Sequence, residues 1–177
     1  MNLRRGALRL TLAAAVSMFS SSPAGATPQW NVGLETGACR DEVKLGWCNA
    51  VHGDLLMLRS SPHEFGLGPS LRLGTVRFSD LRLDLGVSGL IPLFESFPLI
   101  LEAGPSLRNF GHPGAFAGAF FGLRSFNYYG HYEMTGGLSV FAERSFGSDA
   151  ESTYWLTARI DSAWIAMPFI FAYNALK

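Results

Sequence analysis

The sequence predicts an all-β protein, an eight-stranded antiparallel up-and-down transmembrane β-barrel that follows a cleaved signal peptide. Three observations lead to this fold class. The N-terminus has the features of an export signal, apolar and polar residues alternate with the period of a β-strand, and no apolar run reaches the length of a transmembrane helix. An exported apolar chain without a spanning helix favours a barrel whose apolar face meets lipid.

Residues 1–26 have the order of a secretory signal peptide. A basic start with three arginines is followed by an apolar core at 10–19 and by small residues at 24–26. The apolar core is too short to span a bilayer as a helix. We therefore expect a signal peptide at 1–26 and one barrel domain at 27–177. A retained amphipathic N-terminal helix is the alternative.

The charge content argues against nucleic acid as a partner. Lys and Arg together number 14, as do Asp and Glu. Loss of the signal-peptide arginines leaves the mature chain mildly acidic, whereas proteins that bind nucleic acid cluster basic residues. Charged residues make up 16% of the chain and the mean hydropathy is +0.18, which is unlike a soluble domain with a mixed-charge surface.

Period-two alternation marks the predicted strands. In segment 81–91, for example, Leu83 and Leu85 lie on one face, and Arg82 and Asp84 on the other. The eight predicted strands cover residues 30–38, 47–57, 65–75, 81–91, 97–107, 115–123, 132–142 and 154–164. Each is close to the roughly 9 to 11 residues that a tilted strand needs to cross a membrane.

Short segments rich in turn residues separate these strands. They are residues 40–46, 60–64, 79–80, 92–96, 111–114, 127–130 and 147–152. An even number of strands with tight connections predicts up-and-down topology. The motif GPSLR occurs at Gly68–Arg72 and again at Gly104–Arg108, on two strands of the same direction. Since proline cannot donate to a ladder, we expect a bulge or a strand start at Pro69 and at Pro105.

The polar face of the predicted strands carries both signs of charge. Its charged members are Glu35, Asp54, Arg72, Arg82, Asp84, Glu102, Arg108, Arg124, Glu133, Glu143, Arg159 and Asp161. Inside a narrow barrel such groups must pair or meet water, because an unpaired buried charge is costly. We expect an interior closed by ion pairs, since side chains fill most eight-stranded barrels; a narrow polar conduit is the alternative.

Two features place the apolar face outward. The polar face is rich in Gly and Ser, which suits the inside of a narrow barrel, and aromatic residues collect at both ends of the strands, as at membrane interfaces. With the N-terminus in the periplasm, one end has Trp30, Phe94, Phe97, Phe126, Tyr128, Tyr129 and Trp164, and the other has Trp47, Phe78, Phe110, Phe146 and Tyr154. The alternative is a secreted soluble lipocalin-like barrel that encloses an apolar ligand.

Cysteine and histidine suggest a disulfide and no metal site. Cys39 and Cys48 flank the first predicted turn of an exported chain, so we expect them to pair. The four histidines, His52, His63, His112 and His131, lack metal-ligand spacing, and we expect surface or turn positions for them.

A lipid A-modifying outer-membrane enzyme is a second alternative. Deacylases of that kind place His and Ser two residues apart on a strand, whereas Tyr132 and Glu133 follow His131 here. Ser139 and Glu143 share a face with His131, but eight residues along a strand span over ~25 Å. We therefore expect no catalytic residue and no cofactor.

In architecture, residues 30–164 resemble the small eight-stranded bacterial outer-membrane barrels, of which the OmpA transmembrane domain and OmpX are examples. The resemblance implies an outer-membrane protein of a Gram-negative bacterium with a structural or interaction role. Its partners would be outer-membrane lipids, including lipopolysaccharide, whose phosphates the rim residues Arg40, Lys44, Arg77 and Arg144 could meet. Barrels of this class often end on an aromatic residue, whereas this chain continues after Trp164. That tail either extends the last strand or lies in the membrane interface.

Overall fold

The computed structural model describes residues 27–128, 132–147 and 150–176, and they form a closed antiparallel barrel of eight strands with one helix after it. The elements are β1 Gln29–Arg40, β2 Leu45–Leu56, β3 Gly66–Val76, β4 Asp80–Ile91, β5 Leu99–Arg108, β6 His112–Arg124, β7 Thr135–Ser145, β8 Ser152–Asp161 and α1 Ser162–Ala175. Each strand pairs with the next, and β8 closes on β1. The predicted eight-stranded antiparallel barrel is confirmed. The predicted signal peptide lies outside the described residues, and no helix within them is long and apolar enough to cross a membrane.

The two ends of the barrel differ in their connections. The turn end has the connections 41–44, 77–79, 109–111 and 146–151. The terminal end, where β1 begins and β8 ends, has the longer connections 57–65, 92–98 and 125–134. In the three-residue connections 77–79 and 109–111 the first two residues have positive φ, as the central residues of a type I′ turn do.

The predicted turn at 111–114 is wrong. The chain reverses at Asn109 and Phe110, with φ of 48° and 55°, and β6 already begins at His112. Gly111 belongs to the turn, but Gly114 was misleading, because a glycine inside a strand resembles a turn signal. A Cβ at Gly114 would clash with the neighbouring β7 backbone, so this glycine serves close strand approach.

The expected bulges at Pro69 and Pro105 are also wrong, since both prolines lie inside strands whose register stays constant on either side. Pro69 pairs with Val87 on one side, while the β2–β3 ladder has no pair at Pro69 and resumes at the Met57–Leu67 bridge. The glycine before each proline lets the preceding strand approach closely, because a Cβ at Gly68 or Gly104 would fall on the backbone of β2 or β4. The missing donor is accommodated by a local gap in the ladder.

The end of the chain also departs from prediction. β7 begins at Thr135 rather than 132, and β8 ends at Asp161, so Trp164 lies on α1 rather than on a strand. Asp161 caps the helix, because its side chain accepts a hydrogen bond from the Ala163 amide. The tail therefore does not extend the last strand.

Candidate functional site

Charged side chains lie inside the barrel, together with two buried apolar clusters, and aliphatic side chains cover the outside. On β4, Asp84 is 0% exposed whereas its neighbour Leu85 is 51% exposed. Other aliphatic side chains that are exposed on the outside of the strands include Val32, Leu34, Val51, Leu67, Leu71, Leu73, Val87, Leu101, Leu138, Val140, Leu156 and Ile160. In soluble proteins most charged side chains are exposed, and the few that are fully buried are usually paired.

The first group of interior ion pairs lies near the terminal end. Arg124 donates two hydrogen bonds to the carboxylate of Asp54, at 2.8 and 2.6 Å, and a third to Glu133. Arg59 donates to the other oxygen of Glu133 at 2.5 Å and lies over the ring of Phe126. All four charged groups are enclosed, and together they connect β2 and β6 with two connections at this end.

Arg59 was not predicted as an interior residue. It follows the last residue of β2 in a connection, where the period-two pattern has ended, so no sequence signal indicates the direction of its side chain. Phe126 was predicted to be one of the aromatic residues at the membrane interface of this end. Its ring is half-buried beneath the Arg59 guanidinium.

The middle of the barrel contains the next group. Arg159 donates to Glu35 at 2.8 Å and to Glu102 at 3.2 Å, and its guanidinium lies 4.7 Å from the ring centre of Phe120. His52 is fully buried with its Nε2 3.2 Å from Glu102, so its predicted surface position is wrong. The alternation of the strand did indicate a buried position, because His52 lies two residues from the inward Asp54 and so on the same face.

His52, Asp54 and Glu102 are the three side chains here whose ligand atoms lie within 4.8 Å of one another. Their chemistry could bind a cation in principle. Both carboxylates already accept hydrogen bonds from guanidinium groups, Asp54 from Arg124 and Glu102 from Arg159. A metal ion at this point would be repelled by both arginines, so the arrangement suits ion pairing better than metal binding.

Toward the turn end, Arg72 and Arg82 organise a third group. Arg72 donates to Asp84 at 2.8 Å, and its guanidinium lies 4.0 Å from the ring centre of Phe141 and 4.5 Å from that of Trp155. Aromatic faces attract such a cation, so the rings contribute to holding it. Arg82 donates to Glu143 at 3.1 Å and to Thr153 at 3.2 Å.

The Cys39–Cys48 disulfide is confirmed and lies inside the barrel beside these rings. Its Cα atoms are 5.8 Å apart, and the sulfurs belong to a buried cluster with Val76, Phe116 and Phe141. Cys39 pairs in register with Gly46 and Cys48 with Gly37, so the bond links β1 and β2 diagonally.

Two of the predicted interior groups differ from the rest in their surroundings. Arg108 is 20% exposed at the mouth of the turn end, where it bridges Asp80 at 2.8 Å and Glu151. Asp161 is buried at the terminal end, but its partners are the Asn31 amide, the Thr135 N–H and the Tyr132 hydroxyl rather than an arginine.

The rim of the turn end carries exposed basic and aromatic residues. Arg77 is half-buried and pairs with Asp41 at 2.5 Å, and the Lys44 and Val43 amides together with this guanidinium hold the pKa of the Asp41 carboxyl below its usual value. Arg40, Lys44 and Arg144 are exposed, and no salt bridge within the described part of the chain engages them. The aromatic residues exposed at this end are Trp47, Phe78, Phe110, Phe146 and Tyr154.

Two residues named from the sequence, Tyr129 and His131, lie outside the described residues. His63 is exposed in the 57–65 connection, and His112 begins β6. The chain matches no known protein family, no curated protein and no solved structure at a significant level.

Proposed function

We propose that this chain is a small integral outer-membrane β-barrel protein with a structural or interaction role, whose interior is closed by an ion-paired polar core. The observation that carries the proposal is the reversed placement of side chains. Ion-paired arginine and carboxylate groups cross the interior beside two smaller apolar clusters, while Leu, Val and Ile cover the outer wall.

An outer wall of this composition is expected to contact the hydrocarbon of a lipid bilayer. Monomeric soluble proteins rarely expose contiguous apolar patches larger than a few hundred Å². Here the apolar side chains continue across consecutive strands, from Leu71 on β3 to Leu85 on β4 and Leu101 on β5. A closed barrel pairs its backbone donors and acceptors between strands and has no open edge, which is the condition for placing strands in lipid.

The interior charges disfavour the soluble-carrier alternative. A lipocalin-like barrel needs an apolar lining to hold an apolar ligand. The inward side of these strands instead presents guanidinium groups at Arg72, Arg82 and Arg159, each of them 2% exposed or less. The same ion pairs cross the interior, which supports a closed core over a conduit.

We place both termini in the periplasm, since export delivers the N-terminus there and an even number of strands returns the chain to the same side. The turn end then faces outward, and the longer connections face the periplasm, the reverse of the usual arrangement in such barrels. In this orientation Arg40, Lys44 and Arg144 surround the outer rim. Phosphate groups of lipopolysaccharide are the ligands that their charge favours.

The mature protein is expected to fractionate with outer membranes and to resist extraction by alkali or high salt, because its outer wall is apolar. The folded barrel should also migrate differently on a gel before and after heating. Both properties are measured by immunoblotting of cell fractions. Recovery as a soluble periplasmic or secreted monomer would contradict the proposal.

A further inference from the structure

The helix α1 is apolar around its whole circumference. At 100° per residue, Phe169 and Phe171 lie nearly opposite each other. Trp164 lies beside Phe171, and Ile165 and Tyr173 lie on either side of Phe169. Phe169 is 74% exposed and Phe171 is 67% exposed. No Asp, Glu, Lys or Arg occurs between Asp161 and Lys177.

The start of the helix is fixed against the barrel. The Tyr132 hydroxyl contacts the side chains of both Asp161 and Ser162, and Ile165 borders the same outer groove as Leu34 and Ile160. The helix contacts β8 and β1, the two strands that close the barrel. Beyond this first part, every side chain described from 171 to 176 is exposed.

A protein partner does not account for this pattern. A surface helix that docks on a protein has an apolar stripe toward the partner and polar residues on the opposite face, whereas a helix that is apolar all round is surrounded by apolar material. A second copy of this chain would cover one face and leave the other in water. Lipid hydrocarbon covers all faces at once.

The length of the helix limits how it can lie in a membrane. Fourteen residues extend for about 21 Å, which is less than the roughly 30 Å of a bilayer core. The helix starts at the terminal end, the end of the barrel at which Trp30 and Phe97 are also exposed. It is therefore too short to span the bilayer. Because it is longer than the roughly 15 Å that each leaflet contributes to the core, it fits within one leaflet only when it is tilted from the membrane normal.

We propose that α1 is embedded in the acyl-chain region of the leaflet at the terminal end, beside the seam between β1 and β8, so that lipid acyl chains are its binding partner. This inference rests on the proposed function, since it requires the barrel to lie in a membrane. It assigns to the tail an anchoring contact that is independent of the strands.

Single introduced thiols test the inference, because both native cysteines are paired. Phe169→Cys and Phe171→Cys report on opposite faces of α1, Val87→Cys reports on the outer wall of the barrel, and Phe78→Cys reports on the rim of the turn end. Each variant is labelled with a polarity-sensitive fluorophore and refolded into lipid vesicles. Quenching is then measured with lipids brominated on the acyl chain and with aqueous iodide, and a heat-dependent gel shift confirms folding.

Both helix probes are expected to be quenched by brominated lipid as strongly as the probe at 87, and to be several-fold less sensitive to iodide than the probe at 78. Iodide quenching at 169 and 171 with lipid quenching at 87 would overturn the inference and leave the barrel proposal standing. Protection of one helix face only, together with cross-linking between copies, would show a dimer contact and also overturn it. Loss of lipid quenching at 87 as well would refute both proposals.

Discussion

Replacement of Arg124 by methionine is expected to lower the free energy of unfolding by about 3 to 5 kcal/mol, the usual cost of breaking a buried ion pair from one side. Arg124 donates to both oxygens of Asp54 and to Glu133, and all three side chains are fully enclosed. After the substitution Glu133 keeps Arg59, whereas Asp54 is left with His52 at 3.9 Å. The carboxylate of Asp54 then lacks the charge that compensates its burial.

Arg108 provides a matched control, because it also bridges two carboxylates but is 20% exposed. Water can solvate Asp80 and Glu151 at the mouth, so Arg108→Met should cost about 1 kcal/mol or less. Adding Asp54→Asn to Arg124→Met should recover part of the loss, since it removes the orphaned charge. Urea titrations of the barrel in lipid vesicles measure all three variants. Equal costs at 124 and 108 would contradict the closed ion-paired interior.

The substitution Leu85→Arg is expected to destabilise the barrel by about 2 to 4 kcal/mol, since it places a charge on the outer wall near mid-depth, where lipid-facing arginine is most costly. Leu85 is 51% exposed in the middle of β4, so no packing inside the protein is disturbed by the larger side chain. The expected cost comes from the surroundings of the barrel.

Leu45→Arg is the corresponding control at the edge of the apolar band. Leu45 begins β2 at the turn end and is 75% exposed, where the added guanidinium can reach headgroups and water. Its expected cost is about 0 to 1 kcal/mol. The same vesicle titrations compare the two variants. If Leu85→Arg is tolerated as well as Leu45→Arg, residue 85 does not face hydrocarbon.

The strands were predictable from sequence because the side-chain period of a strand is two. Leu83 and Leu85 point outward and Arg82 and Asp84 inward, and this local pattern needs no knowledge of the rest of the chain. The tail was not predictable in the same way. Apolar residues on every side of a helix leave no periodic signal, so residues 162–175 could not be distinguished from a strand continuation.

The pairing of the interior charges could not be predicted without the closed barrel. Arg124 on β6 and Asp54 on β2 lie 70 residues apart in sequence, and their contact depends on the curvature and stagger of the whole sheet. Sequence alternation assigned each of them to the inner face but could not select the pair. Arg59 had no signal at all, because its direction is set by a connection folded into the barrel mouth.

The most direct test of the strand orientation compares two neighbouring residues that point in opposite directions. Val87 is 53% exposed on the outer wall of β4, and Ser88 is 0% exposed in the interior. Val87→Cys and Ser88→Cys are both small changes in a protein whose native cysteines are paired. With the barrel in vesicles, a thiol-reactive probe dissolved in the lipid should label residue 87 and leave residue 88 unmodified. Labelling at 88 with protection at 87 would contradict the orientation of the strands and the membrane proposal that depends on it.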